Sequence, residues 1–331
     1  MLGKPCRSQY EIYPISGYFS KLGAHQTMLA DKKRTVAFYN ALKESIIPGK
    51  SIVLDIGTGT GILAMMAAKL GAKRVFAVEA SPIINLAREI ADDNGFAKKI
   101  KFIRGYSTNL SLKNTKADII VSETIGFTGL EENIVDIMFD AKRRFGHKET
   151  ILIPSGISVC CAPTSDTTTN ELMNFWEKSI SGFSYKKIAQ LAKNNLYGRL
   201  LIPRETLLSE PEIMFNYKFG GSRLSKKKTT IIFKIKHRGQ IAGFALWILV
   251  VLSDLQKLNS YTQNNHWQQV FIPLNHSVKT NIGETIRLQL SVGKIKKQVS
   301  YTWDYEIRNN IGRLTHKGGG DVSKIIKYCL R

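Results

Sequence analysis

Hydrophobic and polar positions follow two rhythms in the first 154 residues. Short apolar runs predict strands, and between them apolar residues recur at helical spacing. The predicted strands cover residues 51–55, 74–79, 100–103, 117–121 and 150–153, and the predicted helices cover 26–42, 61–70, 81–93 and 132–144. Regular alternation of strand and helix predicts a parallel sheet that is covered on both faces and binds ligands at the carboxyl ends of its strands. We therefore expect an α/β domain in residues 1–154.

The pattern changes after Pro154. Residues 155–331 contain further strand-like segments separated by polar turns, at 230–236, 244–251, 285–292 and 299–307. These segments predict a second domain that is mostly antiparallel β. Residues 170–192 are an exception, because their apolar residues recur at helical spacing. They predict helices that project from the β domain.

The composition excludes several classes of protein. With 331 residues, of which 43% are hydrophobic, the chain has enough apolar material for a packed core, so it is neither collagen-like nor wholly disordered. The longest apolar run, residues 241–252, is much shorter than the roughly 20 residues that a membrane-spanning helix needs. The first ten residues, MLGKPCRSQY, lack a hydrophobic signal region. We expect a soluble, cytoplasmic protein with no membrane contact.

The four cysteines indicate neither a disulfide framework nor a metal site. Cys6, Cys160, Cys161 and Cys329 form no CxxC pair and no cluster with histidine at metal-ligand spacing. We interpret them as free thiols in a reducing compartment.

The charge is strongly positive and unevenly distributed. The formal net charge is +22. Residues 1–150 carry +7, from 22 Lys and Arg against 15 Asp and Glu, whereas residues 151–331 carry +15, from 26 against 11. Such a surplus favours polyanions such as RNA, the ribosome or an anionic membrane, although a lysine-rich genome produces the same surplus without a function. Both interpretations stay open.

A glycine-rich loop follows the first predicted strand. In the segment Asp55-Ile-Gly57-Thr-Gly59-Thr-Gly61 the glycines permit a tight turn and a close approach of a ligand to the backbone. Glu79 lies 20 residues beyond Gly59, at the end of the next predicted strand, where a carboxylate can accept both hydroxyls of a ribose. No GK[ST] follows the glycines, which argues against an ATP phosphate loop. The loop and the acid predict an adenosine-containing cofactor.

Residues 53–81, VLDIGTGTGILAMMAAKLGAKRVFAVEAS, extend this pattern, and LGAH at 22–25 and MLADKKRT at 28–35 precede it. Together they resemble the S-adenosylmethionine site of the protein arginine N-methyltransferase family. The resemblance implies a Rossmann-like methyltransferase domain followed by a β-barrel domain. It also implies that Arg34 holds the methionine carboxylate of the cofactor, a task that suits a planar guanidinium. The implied cofactor-binding residues are Arg34, Asp55, Gly57, Gly59, Gly61, Glu79 and Ala80.

The segment SETIGFTGLEE, residues 122–132, follows the fourth predicted strand and resembles the family's double-glutamate loop. The resemblance implies that Glu123 and Glu132, nine residues apart, grip the guanidinium of a substrate arginine from two sides. That grip orients the guanidinium and polarises it toward the nitrogen that attacks the sulfonium methyl. Glu131 is interpreted as a bystander.

The segment NNHWQQVF, residues 264–271, resembles the family's Thr-His-Trp loop, with Asn265 in place of the threonine. The resemblance implies that His266 pairs with Asp31. Such a pair either accepts the proton released by methylation or ties the two domains together. Trp267 is assigned to substrate binding.

Some positions depart from the family pattern. The family's paired tyrosines map onto Ile15 and Phe19, with Tyr13 and Tyr18 nearby, so Tyr18 and Phe19 are the substrate-binding candidates. The Trp-Met pair that usually follows the first glutamate is Thr124-Ile125, and a methionine two residues past the second is Ile134. The product therefore stays unassigned among monomethyl, symmetric dimethyl and asymmetric dimethyl arginine.

Residues 175–178, FWEK, and Gly182-Phe183 resemble the family's dimerisation arm. This resemblance implies a helical arm at about 170–200 and a head-to-tail homodimer.

The leading hypothesis is an S-adenosylmethionine-dependent protein arginine N-methyltransferase that acts on an arginine-rich protein. The first alternative keeps the cofactor but methylates RNA, the ribosome or another protein side chain. The intact glutamate pair favours a guanidinium over this alternative, because a nucleobase nitrogen carries no cation for two carboxylates to hold. A second alternative is a catalytically inactive basic binding module.

Overall fold

The computed structural model describes residues 22–112, 115–295 and 298–325. The described helices are α1 (Leu22–Ala30), α2 (Lys32–Ser45), α3 (Ile62–Lys69), α4 (Ile84–Asp93), α5 (Ile134–Phe145), α6 (Thr168–Phe175) and α7 (Lys186–Ala192). The strands of the first half are β1 (Ile52–Ile56), β2 (Arg74–Glu79), β3 (Ile100–Arg104), β4 (Ile119–Ser122) and β5 (Ile151–Ile153). The later strands are β6 (Gly156–Thr164), β7 (Ser179–Ile180), β8 (Phe183–Ser184), β9 (Tyr197–Leu200), β10 (Glu212–Lys218), β11 (Lys227–Lys234), β12 (Gly239–Val251), β13 (Lys257–Asn259), β14 (Gln269–Thr280), β15 (Thr285–Ile295), β16 (Gln298–Arg308) and β17 (Leu314–Asp321).

The first five strands form one parallel sheet in the order β3-β2-β1-β4-β5. β1 and β4 are buried almost throughout, as expected for strands covered on both faces. The chain runs outward from β1 through β2 to β3, and β4 then pairs with the other side of β1. This reversal opens a crevice at the carboxyl ends of β1 and β4. The predicted α/β fold class is confirmed, and the crevice is where its ligand site is expected.

Two of the predicted helices have different bounds. Instead of one helix over residues 26–42, the structure has α1 and α2, separated at Asp31. Asp31 leaves the helical conformation and caps α2, because its Oδ1 accepts the Arg34 backbone N–H at 3.0 Å. The helix predicted from residue 81 begins only at Ile84, since the Ser81 N–H donates to the Glu79 carboxylate instead of starting the helix.

The second half folds into antiparallel sheets, as predicted. One has the order β10-β6-β12-β14-β9, with β13 paired to β12, and the other has the order β11-β15-β16-β17. The long apolar run of residues 241–252 lies almost entirely in β12, which pairs with β6, β13 and β14. The sheets contact each other where β10 meets β11 and where β14 meets β17. No ladder joins the two sheets among the described strands, so the closed β-barrel stays a prediction.

The predicted projecting segment contains two short helices and a hairpin. α6 and α7 flank β7 and β8, which pair with each other. Phe175 and Phe183 are largely exposed, and the rings of Phe175 and Trp176 meet edge to face. None of the helices in the described residues is long and apolar enough to cross a membrane.

Candidate functional site

The glycine loop between β1 and α3 is shaped by three residues with positive φ. Gly57, Gly59 and Gly61 have φ of 73°, 55° and 85°, a region that glycine enters without strain. A Cβ on Gly57 would lie 2.7 Å from Cγ2 of Thr124, and one on Gly59 would lie 3.0 Å from the His25 ring. The loop therefore packs directly against α1 and against the segment after β4.

Glu79 ends β2 beside this loop. Its Oε2 accepts the backbone N–H of Gly59 at 3.1 Å, and its Oε1 accepts that of Ser81 at 2.8 Å. Both oxygens are thus held in place by the backbone, and Glu79 and Ala80 line the cavity above the loop. A fixed carboxylate at the end of the second strand is the arrangement that the ribose assignment requires.

Two predicted cofactor residues, Asp55 and Gly61, are not among the residues that line the cavity; Gly61 faces Ala87 and Phe102 instead. Asp55 is fully buried, and its Oδ2 accepts the Thr58 hydroxyl at 2.5 Å. Burial raises the pKa of Asp55 to about 7, against the lowering effect of the Thr58 hydrogen bond. Asp55 therefore lies beneath the glycine loop and orders it, rather than forming part of the wall that faces the ligand.

One cavity of about 240 Å³ brings most of the predicted site together. Its walls include Arg34, Gly57, Gly59, Glu79, Glu123 and Glu132. These residues come from α2, from the end of β2, from the segments that follow β1 and β4, and from the segment before α5. The cavity lies at the carboxyl ends of the parallel strands, where the sequence predicts it.

Arg34 and Glu123 form a buried ion pair in this cavity. Nη1 of Arg34 donates to Oε2 of Glu123, and both side chains are almost completely shielded from solvent. Nε of Arg34 is buried without a hydrogen-bond partner in the described part of the chain. One edge of the guanidinium is therefore committed to Glu123, while its Nε–H still lacks an acceptor.

Glu132 lies in an environment that disfavours its charge. Burial raises the pKa of Glu132 well above its usual value, and the charges of Glu123, Glu131 and Glu79 raise it further. Arg199 of β9 opposes these effects and lowers the pKa. Three glutamates, Glu79, Glu123 and Glu132, line the cavity, so its wall is rich in acidic side chains.

Glu131 is not the bystander that the sequence suggests. Its carboxylate accepts the backbone N–H of Thr128 at 3.0 Å and that of Leu130 at 3.2 Å. Glu131 therefore ties together the loop that carries Glu123 and Glu132.

The loop at residues 264–271 contacts Asp31, at the start of the helix that carries Arg34, and Ile125, in the glutamate loop. Asp31 Oδ2 accepts hydrogen bonds from the His266 backbone N–H and lies 2.9 Å from His266 Nδ1. Burial tends to raise the pKa of Asp31, but hydrogen bonds from the His266 ring and from two backbone N–H groups lower it to about 2. His266 thus holds the residue that caps α2, the helix of Arg34.

Trp267, the residue after His266, contacts the glutamate loop. Its side chain is 1% exposed, and its indole N–H donates to the Ile125 carbonyl at 3.0 Å. The structure places Trp267 behind the glutamate loop as a packing residue, whereas the sequence assigns it to substrate binding. The other two substrate candidates, Tyr18 and Phe19, lie outside the described residues.

Three residues of the site were missed by the sequence prediction. His25 and Thr124 line the cavity, and the charge of Arg199 opposes the rise in the pKa of Glu132. His25 belongs to the LGAH element, which offered a signal for it. Thr124 stands at a departure from the family pattern, and nothing local in the sequence marks Arg199.

The chain is similar to methyltransferases in sequence and in fold. Residues 29–162 match the family model of ribosomal protein L11 methyltransferase (PrmA). The chain is 28% identical over 286 residues to protein arginine N-methyltransferase 1 of Saccharomyces cerevisiae, covering 82% of this chain and 81% of that protein. It is also 28% identical over 312 residues to ribosomal protein arginine N-methyltransferase rmt3 of Schizosaccharomyces pombe, covering 88% of this chain and 57% of that protein.

The solved structure of the Trypanosoma brucei PRMT1 enzyme-prozyme heterotetrameric complex with AdoHcy has the same fold. Its TM-score is 0.80 at 21% identity, with 92% of this chain and 99% of that chain covered. The predicted resemblance to the protein arginine N-methyltransferases is confirmed. The arginine methyltransferase fold accounts for the order of the domains, with a parallel sheet first and antiparallel sheets after it.

Proposed function

We propose that this protein is an S-adenosylmethionine-dependent protein arginine N-methyltransferase. The observation that carries the proposal is that Glu123 and Glu132 line the same cavity as the glycine loop and Glu79. A cation-binding pair of carboxylates next to a nucleoside-type site fits the transfer of a group to a positively charged acceptor. Residues 1–154 would form the cofactor domain, and residues 155–331 would form the substrate domain.

The residues of the cavity fit S-adenosylmethionine. The backbone of Gly57 and Gly59 leaves no room for side chains, and Glu79 presents a fixed carboxylate to the ribose hydroxyls. The buried Nε–H of Arg34 lacks an acceptor in the described part of the chain, which suits a ligand carboxylate. When bound, the cofactor supplies a methyl group on a positively charged sulfonium.

The two glutamates would position the acceptor. Glu123 and Glu132 each accept N–H groups of the substrate guanidinium and fix one nitrogen in line with the methyl group. Their negative charge also stabilises the cation as its charge is redistributed. The bound cofactor would supply the methyl group and depart as the thioether, and a carboxylate of the pair would take up the proton that leaves the guanidinium nitrogen.

The His266–Asp31 pair would tie the domains together. Neither residue is among those that line the cavity in the described structure. Asp31 contacts His266 through the backbone and through the ring, and caps the helix of Arg34. We therefore favour the structural role over proton acceptance.

The proposal is tested by incubating the protein with methyl-labelled S-adenosylmethionine and cell lysate, with and without ribonuclease. We expect label in methylated arginine after acid hydrolysis, unchanged by ribonuclease. The hydrolysate also distinguishes the monomethyl product from the two dimethyl products. Label that disappears with ribonuclease, or that lies in another amino acid, contradicts the proposal.

The match to the PrmA model favours a second candidate, methylation of another side chain on a ribosomal protein. That match covers residues 29–162, which include the glutamate pair. The acceptor would then be a side chain other than arginine. The amino-acid analysis above separates the two candidates, and an inactive binding module would yield no label.

The basic second half of the chain suggests where the substrate is found. Its charge of +15 favours a polyanion, so we propose that the protein meets an arginine-rich substrate that accompanies nucleic acid or the ribosome. The name of the rmt3 relative, a ribosomal protein arginine N-methyltransferase, supports this direction. A cytoplasmic location fits the same proposal, and Cys160 and Cys161 are free thiols.

We propose that α6, α7 and the hairpin between them form a dimerisation arm. Phe175 and Phe183 are 48% and 69% exposed, which is unfavourable for a projecting segment in water. Light scattering at micromolar concentration should give twice the mass of the chain for the wild type. Phe183→Ser should shift the mass toward that of one chain, whereas a matched change at exposed Ile311 of the β16–β17 turn should not. A monomeric wild type with full activity would remove the arm from the proposal.

A further inference from the structure

The stretch between Glu212 and Asp254 contains no acidic residue. Residues 213–253 include eight lysines and arginines, at positions 218, 223, 226, 227, 228, 234, 236 and 238, and neither Asp nor Glu. These eight charges are more than half of the net charge of +15 in the second half of the chain. The surplus of that half is therefore concentrated between the end of β10 and the start of β12.

The loop that joins β10 to β11 is held against α5 of the α/β domain. The backbone N–H of Leu224 donates to Oδ1 of Asp136 on α5 at 2.7 Å. A Cβ on Gly220 would lie 2.8 Å from Cδ of Lys142, so the loop also packs against the side of this helix. The loop therefore presents its cations from a fixed position that spans both domains.

Six cations around this loop form one surface, which we call the basic surface. The Arg223 guanidinium lies 5.7 Å from the centre of the Phe139 ring on α5, and Nζ of Lys227 lies 5.1 Å from the centre of the Tyr217 ring. Aromatic rings thus support two of these charges from below. Five of the six side chains are exposed and that of Lys142 is half-buried. The members of the basic surface are Lys142, Lys218, Arg223, Lys226, Lys227 and Lys228.

Both acidic residues of α5 are already paired with other cations. Asp136 accepts Nζ of Lys294 from β15, and Asp140 accepts Arg143 and Arg144 of its own helix. Within the part of the chain that the structure describes, no cation of the basic surface forms an ion pair with a carboxylate. Their charges therefore add to a positive field that attracts a polyanion.

We propose that the basic surface binds the phosphate backbone of RNA. Five of its six cations are lysines, which bind phosphate as point charges, and such contacts hold a nucleic acid without reading its sequence. The core of a protein interface is instead depleted of lysine and rich in aromatic anchors. Between Ile213 and Ile232 no large apolar side chain is exposed, so the basic surface offers no such anchor to an acidic protein.

The basic surface and the acceptor cavity carry opposite charges. Three glutamates line the cavity, which therefore repels the phosphates that the basic surface attracts. The two regions are close together, because Leu224 contacts Asp136, four residues after Glu132. RNA on the basic surface would bring an arginine-rich protein that it carries to the cavity without entering the cavity itself. This last step rests on the proposed function, whereas RNA binding does not.

RNA binding is measured by fluorescence anisotropy with a labelled oligouridylate of about 20 nucleotides, without cofactor or peptide. We expect a wild-type Kd of about 1–100 µM at physiological salt. Lys226→Gln/Lys227→Gln/Lys228→Gln should bind about tenfold or more weakly, and its slope of log K against log salt should fall by about 2, since each phosphate contact contributes about 0.7. Lys218→Gln/Arg223→Gln should lower the slope by about 1.4.

A matched control removes the same charge from another region. Lys98→Gln/Lys99→Gln/Lys101→Gln changes three exposed lysines at β3, the edge strand of the parallel sheet, and should leave the slope almost unchanged. Equal losses in the two triple variants would assign RNA binding to the net charge and overturn the proposal. It would also be overturned by a wild type that binds no RNA at about 0.1 mM, or by poly-glutamate that displaces RNA at equal charge concentration.

A second measurement separates this proposal from the proposed function. For an arginine-rich protein bound to RNA, the variant that lacks the lysines at 226–228 should have a KM about tenfold above that of the wild type. Its kcat and KM for a free arginine peptide should be unchanged. RNA binding with the expected slopes in a protein that labels no arginine contradicts only the proposed function. Methylated arginine without RNA binding contradicts only the role of the basic surface.

Discussion

Replacing Glu132 by glutamine is expected to slow single-turnover methylation of an arginine-rich peptide by roughly two orders of magnitude or more. Glutamine keeps the size of the side chain and one acceptor oxygen but removes the negative charge that holds and polarises the guanidinium. Cofactor affinity, measured by calorimetry, should stay close to that of the wild type, because the glycine loop, Glu79 and Arg34 are unchanged. The selective loss of the chemical step is the signature of an acceptor-side residue.

Glu131→Gln provides the matched control. It lies in the same loop, and its remaining carbonyl oxygen can still accept the Thr128 and Leu130 backbone N–H groups. We expect a loss of less than about tenfold, which measures the contribution of loop order alone. Equal rates for Glu132→Gln and Glu131→Gln would contradict the grip on the guanidinium.

The effect of Glu123→Gln should differ from those of Glu132→Gln and Glu131→Gln. Its partner Arg34 would lose the ion pair and would face the cofactor carboxylate with a less restrained guanidinium. We therefore expect this change to affect cofactor affinity as well as methyl transfer. A loss of cofactor affinity in Glu123→Gln but not in Glu132→Gln would show that Glu123, through Arg34, also supports cofactor binding.

The parallel sheet and its ligand edge were predictable because their signals are local. A buried parallel strand is an uninterrupted apolar run, and the glycines after β1 stand where the backbone must take positive φ. Both features depend on a few consecutive residues. The sequence alone therefore located the cavity walls contributed by Gly57, Gly59 and Glu79.

The break at Asp31 was missed because helical spacing continues across it. The apolar positions of α1 and α2 predict one helix. The chain leaves the helix at Asp31 because the Asp31 carboxylate accepts the backbone N–H groups of Arg34 and His266. His266 is 235 residues away, so the reason is tertiary. The same holds for Trp267, whose buried indole N–H donates to the carbonyl of Ile125, 142 residues away.

Arg199 and Glu131 illustrate a second limit. A glutamate in a polar loop and an arginine in a short strand both look like solvated surface residues in the sequence. Their roles arise from the arrangement of backbone N–H groups and of Phe127, which no periodicity reveals. The role of a charged residue that contacts a distant part of the chain therefore follows only from the three-dimensional structure.

Asp31→Ala should lower the free energy of unfolding by about 2–4 kcal/mol, measured by urea unfolding at pH 7. The change removes the cap of α2 and leaves the part-buried His266 backbone N–H without its acceptor. Asp31→Asn keeps a good capping oxygen but presents one oxygen fewer to His266, so its loss should be smaller. A double-mutant cycle with His266→Ala should give a coupling of about 1–3 kcal/mol.

The acid dependence of this contact supplies a second check with a defined sign. Because the folded pKa of Asp31 is lowered to about 2 from a usual value near 3.8, its ionised form stabilises the protein above about pH 4. That contribution is lost as the pH falls from about 4 to about 2. The stability gap between wild type and Asp31→Asn should therefore be clearly smaller at pH 3 than at pH 7. A gap that is constant over this range would mean that Asp31 stabilises the protein without its charge, and the tie between the domains would then rest on packing around Trp267 instead.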